Sequence, residues 1–384
     1  MYQRTYVKVD LDAINYNIDN ILAKLDGKSK FLAIVKADAY GHGAVEIAGE
    51  IEDKCNFFGV ARVEEAVELK NAGITKPILI LSHVSPVQFE EVVENDFRVP
   101  IFSYEDALEL SKMAVSKNKI ANFHICVDTG MSRIGFQVTE ESADVCKKIC
   151  ELDNINAEGI FSHFATADEK DITKALAQQK RFKTFISMLE ARGLSIEIKH
   201  INNSAGIMVF DEQFDMVRSG IITYGLYPSE EIDHSIIKLK PAMEWLTTIS
   251  HIKTLEAGRE ISYGGTYVTK KDTVVATIPV GYADGYPRCL SNTGKVIING
   301  RYADIIGRVC MDQFMVDVTN IPDVTLQSEV TLVGRQGDAV LTMEEVSNAA
   351  HSFNYELPCR ISRRVPRVYT KNGKIVDTVN YLFK

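Results

Sequence analysis

Basic residues are in deficit: 43 Lys and Arg stand against 52 Asp and Glu, a net charge of −9. That balance argues against nucleic acid or an anionic membrane surface as the main partner. Long apolar runs are missing as well. No stretch approaches the ~18 to 20 residues a membrane span needs, and the opening MYQRTYVKVDLDAI lacks the apolar segment of a signal peptide. A cytoplasmic protein is expected. Cysteine is sparse and odd in number, with Cys55, Cys126, Cys146, Cys150, Cys289, Cys310 and Cys359 scattered over 384 residues, which is not the spacing of a disulfide framework. Cys146 and Cys150 fit one helix face, and no further ligands stand near enough for zinc. No metal is expected. Fixed-period repeats and low-complexity segments are also missing, while 46% hydrophobic and 25% charged residues supply a packed core and exclude wholesale disorder.

The length predicts two domains. Up to about residue 230, short β-rich runs alternate with stretches of helical period. The strand candidates are 31–37, 56–61, 77–82, 97–102, 122–128, 159–164, 198–203 and 216–225. Helices fit between them, as in DLDAINYNIDNILAKL and ITKALAQQKRFKTFISMLEARG. Eight βα units predict a TIM (β/α)8 barrel, whose chemistry lies at the C-terminal ends of the strands. From about residue 240 the texture changes to hairpins around Asn299-Gly300 and Asn372-Gly373, with one helix opened by Thr342 and Glu345 as a capping box. The expected domains are 1–238, a barrel, and 239–384, mostly β, with the first few residues packing on the second.

Lys36 ends an apolar strand in AIVKADAYGHG. Partial desolvation at a barrel mouth makes a neutral, nucleophilic amine accessible, which suits a Schiff base, although a lysine elsewhere would simply snorkel outward. Asn203-Ser204 and Arg218-Ser219-Gly220-Ile221 follow the last two strands, where barrels often bind phosphate; the same residues also make ordinary turns. A Schiff-base lysine and a phosphate site at one mouth suggest pyridoxal phosphate.

Across the whole chain, and in order, VKADAYGHG (35–43), DTGMSRIGF (128–136), SHFATADE (162–169), NNSAG (202–206), VRSGIITYGLYP (217–228), ISYGGTY (261–267), VGYADGYPR (280–288), GRVCMDQFMVDV (307–318) and SRRVPRVY (362–369) resemble the motif set of bacterial alanine racemase. The resemblance implies a pyridoxal phosphate enzyme that interconverts L- and D-alanine, forming D-alanine for peptidoglycan precursors. By the same resemblance, Lys36 carries the cofactor and serves as base on one substrate face, and Tyr263 is the base on the other, supported by His163. Tyr40, Ser204, Gly220, Ile221 and Tyr355 match the positions that bind the phosphate. Arg218 faces the pyridine nitrogen; a guanidinium leaves that nitrogen unprotonated and so limits the lifetime of the carbanion. Arg133 and the amide of Met311 match the substrate-carboxylate site, and Tyr282 and Tyr355 match the corridor leading to it. In the family Tyr263, Tyr282 and Met311 come from the partner subunit, so a homodimer with shared active sites is implied.

One position departs from the pattern. Cys126 stands two residues before DTGM, where many relatives carry a carboxylated lysine that orients the carboxylate-binding arginine. The expected substitute is a bound small anion or a neutral hydrogen bond. Two rival activities stay open: racemisation of other amino acids such as serine, and decarboxylation by a barrel of the same cofactor class.

Overall fold

The computed structural model describes residues 4–25 and 27–383. Two compact units divide the chain: Ala13–Ala39 with Ala44–Pro241, and residues 4–12 with Tyr40–Gly43 and 242–383.

The first unit is the barrel. Its strands are β1 (Lys30–Ile34), β2 (Phe57–Val60), β3 (Ile78–Ile80), β4 (Val99–Ile101), β5 (Ala121–Asp128), β6 (Ile155–Phe161), β7 (Ile198–His200) and β8 (Met216–Ser219). All pairings between them are parallel, and β8 pairs with β1 to close the ring. The seams between β3 and β4 and between β7 and β8 are stitched by a Leu79–Arg98 bridge and by Arg218 N–H donating to Asn202 O at 3.0 Å. Continuous apolar runs such as Phe31-Leu32-Ala33, all fully buried, are what a parallel sheet covered by helices requires. The last expected strand, 216–225, is shorter than its β-rich sequence suggested. Gly220 leaves the extended region at φ −107°, ψ −101°, and Ile221–Tyr224 close a 3₁₀ turn ending on Gly225.

Helices Leu11–Lys24 and Thr173–Glu190 occupy the stretches where helical periodicity was found. One short segment defies its sequence. Lys36–Gly41 winds left-handed, with φ of 53°, 56°, 52° and 52° at Ala37, Asp38, Ala39 and Tyr40. Each such residue costs roughly 1–2 kcal/mol, so the turn must be held by its surroundings. Glu65 accepts from Ala37 N–H at 2.7 Å and Asp38 from Ala44 N–H at 3.0 Å. In the second unit Arg367 donates to Gly41 O at 3.0 Å and Tyr369 to His42 O at 2.9 Å.

The second unit is built on an eleven-stranded sheet. Thr5–Asp10 belongs to it, antiparallel to Met243–Thr248 and parallel to Arg367–Lys371, with alternate residues buried. Met1–Gln3, part of the opening expected to pack here, lie outside the described residues. Both Asn-Gly turns join antiparallel strands, and Asn299, Gly300, Asn372 and Gly373 all have positive φ, as a type I′ turn demands. Thr342 and Glu345 complete the capping box of Met343–Ala349.

Candidate active site

The barrel unit gathers its functional candidates at the C-terminal ends of its strands. Lys36 follows β1, Arg133 lies in the loop after β5, His163 is two residues beyond β6, Ser204 follows β7, and Arg218, Gly220 and Ile221 sit on and after β8. Asn203 caps the short helix Ser204–Val209, its side chain accepting from Gly206 N–H at 3.0 Å. Gly220 N–H donates to Ser204 Oγ at 3.0 Å, so the two candidate phosphate loops are joined into one buried cradle. Ile221 is fully buried beside them.

Arg218 is 3% exposed, and its surroundings are unusual for a buried cation. Nη1 donates to His200 Nδ1 at 2.7 Å and His200 O at 3.3 Å; Nη2 donates to Ser162 O at 2.7 Å, Ile201 O at 2.9 Å and His163 Nδ1 at 3.2 Å. Its Cζ lies 5.6 Å from the centre of the Phe161 ring. Among the described residues Arg218 makes no ion pair, and none of them accepts from its Nε–H. Burial pushes its pKa down to about 9, and nearby Arg133 adds to the fall, so it remains cationic at neutral pH. His163 is held far below the usual imidazole range, first by burial and then by the charges of Arg218, Arg133 and Lys36. These four side chains therefore share one electrostatic neighbourhood, and His163 is neutral in it.

Arg133 itself is exposed. Cys126 lies beneath its loop, 2% exposed, with Sγ donating to Ile134 O at 3.7 Å. Burial raises the thiol to about 12, so at neutral pH it is a neutral donor that ties down the backbone next to Arg133.

The second unit holds the remaining candidates. Tyr263 and Met311 line a cavity of about 650 Å³ with Ser262, Cys310 and Asp312, and both are exposed, at 71% and 52%. Ser262, at φ 65°, turns the chain just before Tyr263 and is fixed by its Oγ donating to Arg308 O at 2.7 Å. Tyr282, also exposed, begins a short turn whose amides donate to Cys310 O and Met311 O at 3.1 and 3.0 Å. Tyr40 and Tyr355 place their rings 6.3 Å apart. Tyr40 is buried, which pushes its phenol pKa upward. Among the described residues, no group of three or more His, Cys, Asp and Glu could hold a metal ion, and no helix is long and apolar enough to cross a membrane.

Several partners of Arg218 were missed in the sequence. His200 and the Ser162 carbonyl hold the guanidinium directly, and His124 and Glu158 stand behind His200. The signal was there: His124 and His200 interrupt the apolar strands NFHICVD and IKHINN, and a histidine enclosed in a barrel strand must find hydrogen-bond partners.

Comparison with known proteins accounts for nearly the whole chain. The family model "Alanine racemase, N-terminal domain" matches residues 9–228, and "Alanine racemase, C-terminal domain" matches 242–369. The chain is similar to alanine racemase 1 of Clostridium acetobutylicum, 44% identical over 98% of both chains, and to alanine racemase of Methanococcus maripaludis, 44% identical over 95% of this chain and 98% of that one. Among solved structures, alanine racemase of Clostridium difficile matches with a TM-score of 0.96 at 40% identity over 100% of both chains. The Bacillus anthracis enzyme with bound L-Ala-P matches at 0.95 and 38%, over 100% of this chain and 99% of that one. With two family models in register and relatives matched over almost their full lengths, this chain belongs to the alanine racemase family.

Proposed function

We propose that this protein interconverts L- and D-alanine by a two-base mechanism, with pyridoxal 5′-phosphate on Lys36, as a homodimer whose active sites are shared. The observation that carries the proposal is the setting of Arg218: a buried guanidinium that spends its terminal hydrogens on carbonyls and neutral imidazoles, keeps Nε–H in reserve, and acts on His163 together with Lys36. That donor set fits the cofactor. An unspent N–H from a group that does not surrender its proton suits an unprotonated ring nitrogen. The buried cradle of Ser204 and the Gly220–Ile221 turn suits the phosphate, and the family resemblance assigns Tyr40 and Tyr355 to the same group. When bound, pyridoxal phosphate supplies an electron sink that makes the α-proton of the amino acid removable.

The chain's own residues do the rest. Arg133 and the amide of Met311 of the partner subunit hold the substrate carboxylate. On one face of the substrate Lys36 Nζ takes or returns the α-proton, and on the other Tyr263 Oη of the partner subunit does so. Inversion follows from the two bases lying on opposite sides. His163, kept neutral by burial and by the cations around it, can pass a proton onward without itself becoming charged. Tyr282 of the partner subunit and Tyr355 narrow the corridor, which favours a substrate as small as alanine. Seven free cysteines fit the cytoplasm, where D-alanine would be formed for the cell wall.

The test is to incubate purified protein and cofactor with pure L-alanine in deuterated water. Appearance of D-alanine with deuterium at the α-carbon is expected. Release of carbon dioxide, or unchanged L-alanine, would overturn the proposal.

A further inference from the structure

Behind Arg218 runs a line of polar side chains, from buried histidines to a partly buried carboxylate, that the reaction above does not use. His200, whose Nδ1 accepts from Arg218, places Nε2 at 2.8 Å from His124 Nδ1; His124 Nε2 is 3.2 Å from Glu158 Oε2. Glu158 is gripped in turn by Arg98, whose Nε and Nη2 donate at 3.1 and 3.2 Å, and Arg98 also pairs with Asp96 at 2.8 Å. Both imidazoles are fully buried. Phe161 stacks on the His200 ring at 5.2 Å, and Phe57 meets that of His124 edge-on at 6.4 Å.

The proton positions follow from valence alone. A guanidinium can only donate, so His200 Nδ1 must present a lone pair, and a neutral His200 then carries its hydrogen on Nε2. That hydrogen points at His124 Nδ1, which must accept. His124 therefore carries its own hydrogen on Nε2 and donates it to the Glu158 carboxylate. Neither ring can take up a proton without setting two N–H groups against each other. Burial, which holds both rings below the usual imidazole range despite the carboxylate beside His124, acts in the same direction.

We infer that Glu158 is a positioning residue for Arg218, acting through His124 and His200. Its carboxylate anchors one end of a directional relay whose other end fixes the Nη1 edge of the guanidinium. With Nη1 and Nη2 committed, Nε–H is presented in a single orientation at the barrel mouth. The relay also places a counter-charge for a buried cation three side chains away, at the far end of a hydrogen-bonded path through which polarisation can pass. Gly159 supports the arrangement: a Cβ there would lie 2.5 Å from His124 Nδ1, so the strand must carry glycine for the ring to fit.

The inference rests on the proposed reaction only for the role of Arg218, and the two can fail separately. The experiment is ¹⁵N NMR of the full-length, cofactor-loaded protein labelled at histidine, with assignment by the His124→Phe and His200→Phe variants. In the wild type both rings are expected as neutral Nε2–H tautomers that do not titrate between about pH 5.5 and 8.5. A protonated ring, or an Nδ1–H tautomer at either position, overturns the relay whether or not any variant folds.

Two substitutions then test its purpose. Glu158→Gln removes the charge, and Gly159→Ala displaces the His124 ring without altering charge. Each is expected to disturb the His200 signals and to lower kcat on the order of tenfold with KM for alanine nearly unchanged, the lower end of what loss of a histidine-orienting partner costs at metal sites. Disturbed tautomers with wild-type kcat in both variants would overturn the positioning role. A wild-type protein that does not racemise would overturn the proposed function, while its spectra would still decide the relay.

Discussion

Complementation between two dead variants puts the shared active site to its hardest test. On the proposed mechanism Lys36→Ala removes one base and the cofactor's anchor, and Tyr263→Phe removes the opposite base. Loss of a positioned proton-transfer group costs about 10²–10⁴-fold, so each homodimer should retain on the order of 1% of activity or less. Tyr263 and Met311 are 71% and 52% exposed and border a cavity of about 650 Å³, which leaves them free to complete a neighbour's site. If they do, a hybrid dimer has one site with the intact Lys36 of one chain and the intact Tyr263 of the other, while its second site lacks both. Random mixing makes about half of the dimers hybrid, and half of their sites are whole, so roughly a quarter of wild-type activity should return. The assay is coexpression with two different affinity tags and tandem purification, which isolates the hybrid and should raise the figure to about half. Inactive tandem-purified hybrids would refute the shared site, because a site formed within one chain leaves both halves of the hybrid broken.

Borohydride reduction of the cofactor-loaded protein should leave a stable amine on Lys36, seen by peptide mapping; an adduct on another lysine would displace the assignment. The Glu158 carboxyl is raised by burial, but hydrogen bonds from His124 and Arg98 and the Arg98 charge outweigh this and bring it to about 2 from 4.5, a difference of roughly 3 kcal/mol at neutral pH. Because this carboxyl is depressed in the folded state, that contribution is complete above about pH 4.5 and fades toward pH 2. Urea unfolding should therefore show a deficit for Glu158→Gln that is large at pH 7 and smaller at pH 3; a deficit independent of pH would refute this accounting. A small anion near Arg133 should make the wild-type KM for alanine fall with chloride at constant ionic strength, and Cys126→Lys in bicarbonate should lose that dependence. A flat wild-type profile would leave the Cys126 thiol as the whole replacement.

The barrel was legible because its signals are local and repeated. Apolar runs such as FLAIV and PILIL can hardly be anything but buried parallel strands when helices of 3.6-residue period separate them. The Asn-Gly hairpins and the Thr342 capping box carry their geometry in two or four residues. The positions of Lys36 and Arg218 at strand ends were legible from the same runs, and strand ends are where barrels carry their chemistry. The left-handed turn was not. Ala37, Asp38, Ala39 and Tyr40 have no shared preference for positive φ, and what holds them there, from Glu65 to Arg367 and Tyr369, is distant in sequence. The short eighth strand escaped for the same cause, since β-branched Ile221, Ile222 and Thr223 favour a strand while the backbone at Gly220 turns away from one.

Least legible was the electrostatic plan of the barrel mouth. A sequence shows that Arg218 is an arginine near a strand end, and an obvious expectation is a carboxylate beside it, because burying an unpaired guanidinium is costly. The protein instead gives it three backbone carbonyls, two neutral imidazoles and the face of Phe161. This choice has a chemical consequence. A carboxylate in contact with Arg218 would oppose the positive field that His163 feels from Arg218, Arg133 and Lys36, the field that on the proposed function attracts a phosphate and an amino-acid carboxylate. Moving the negative charge to Glu158, past two rings that cannot ionise without breaking their hydrogen bonds, keeps the guanidinium oriented while leaving the mouth positive. The apolar strand positions surrendered to His124 and His200, and the glycine at 159 that makes room for one of them, are then the sequence's record of an electrostatic requirement rather than of packing.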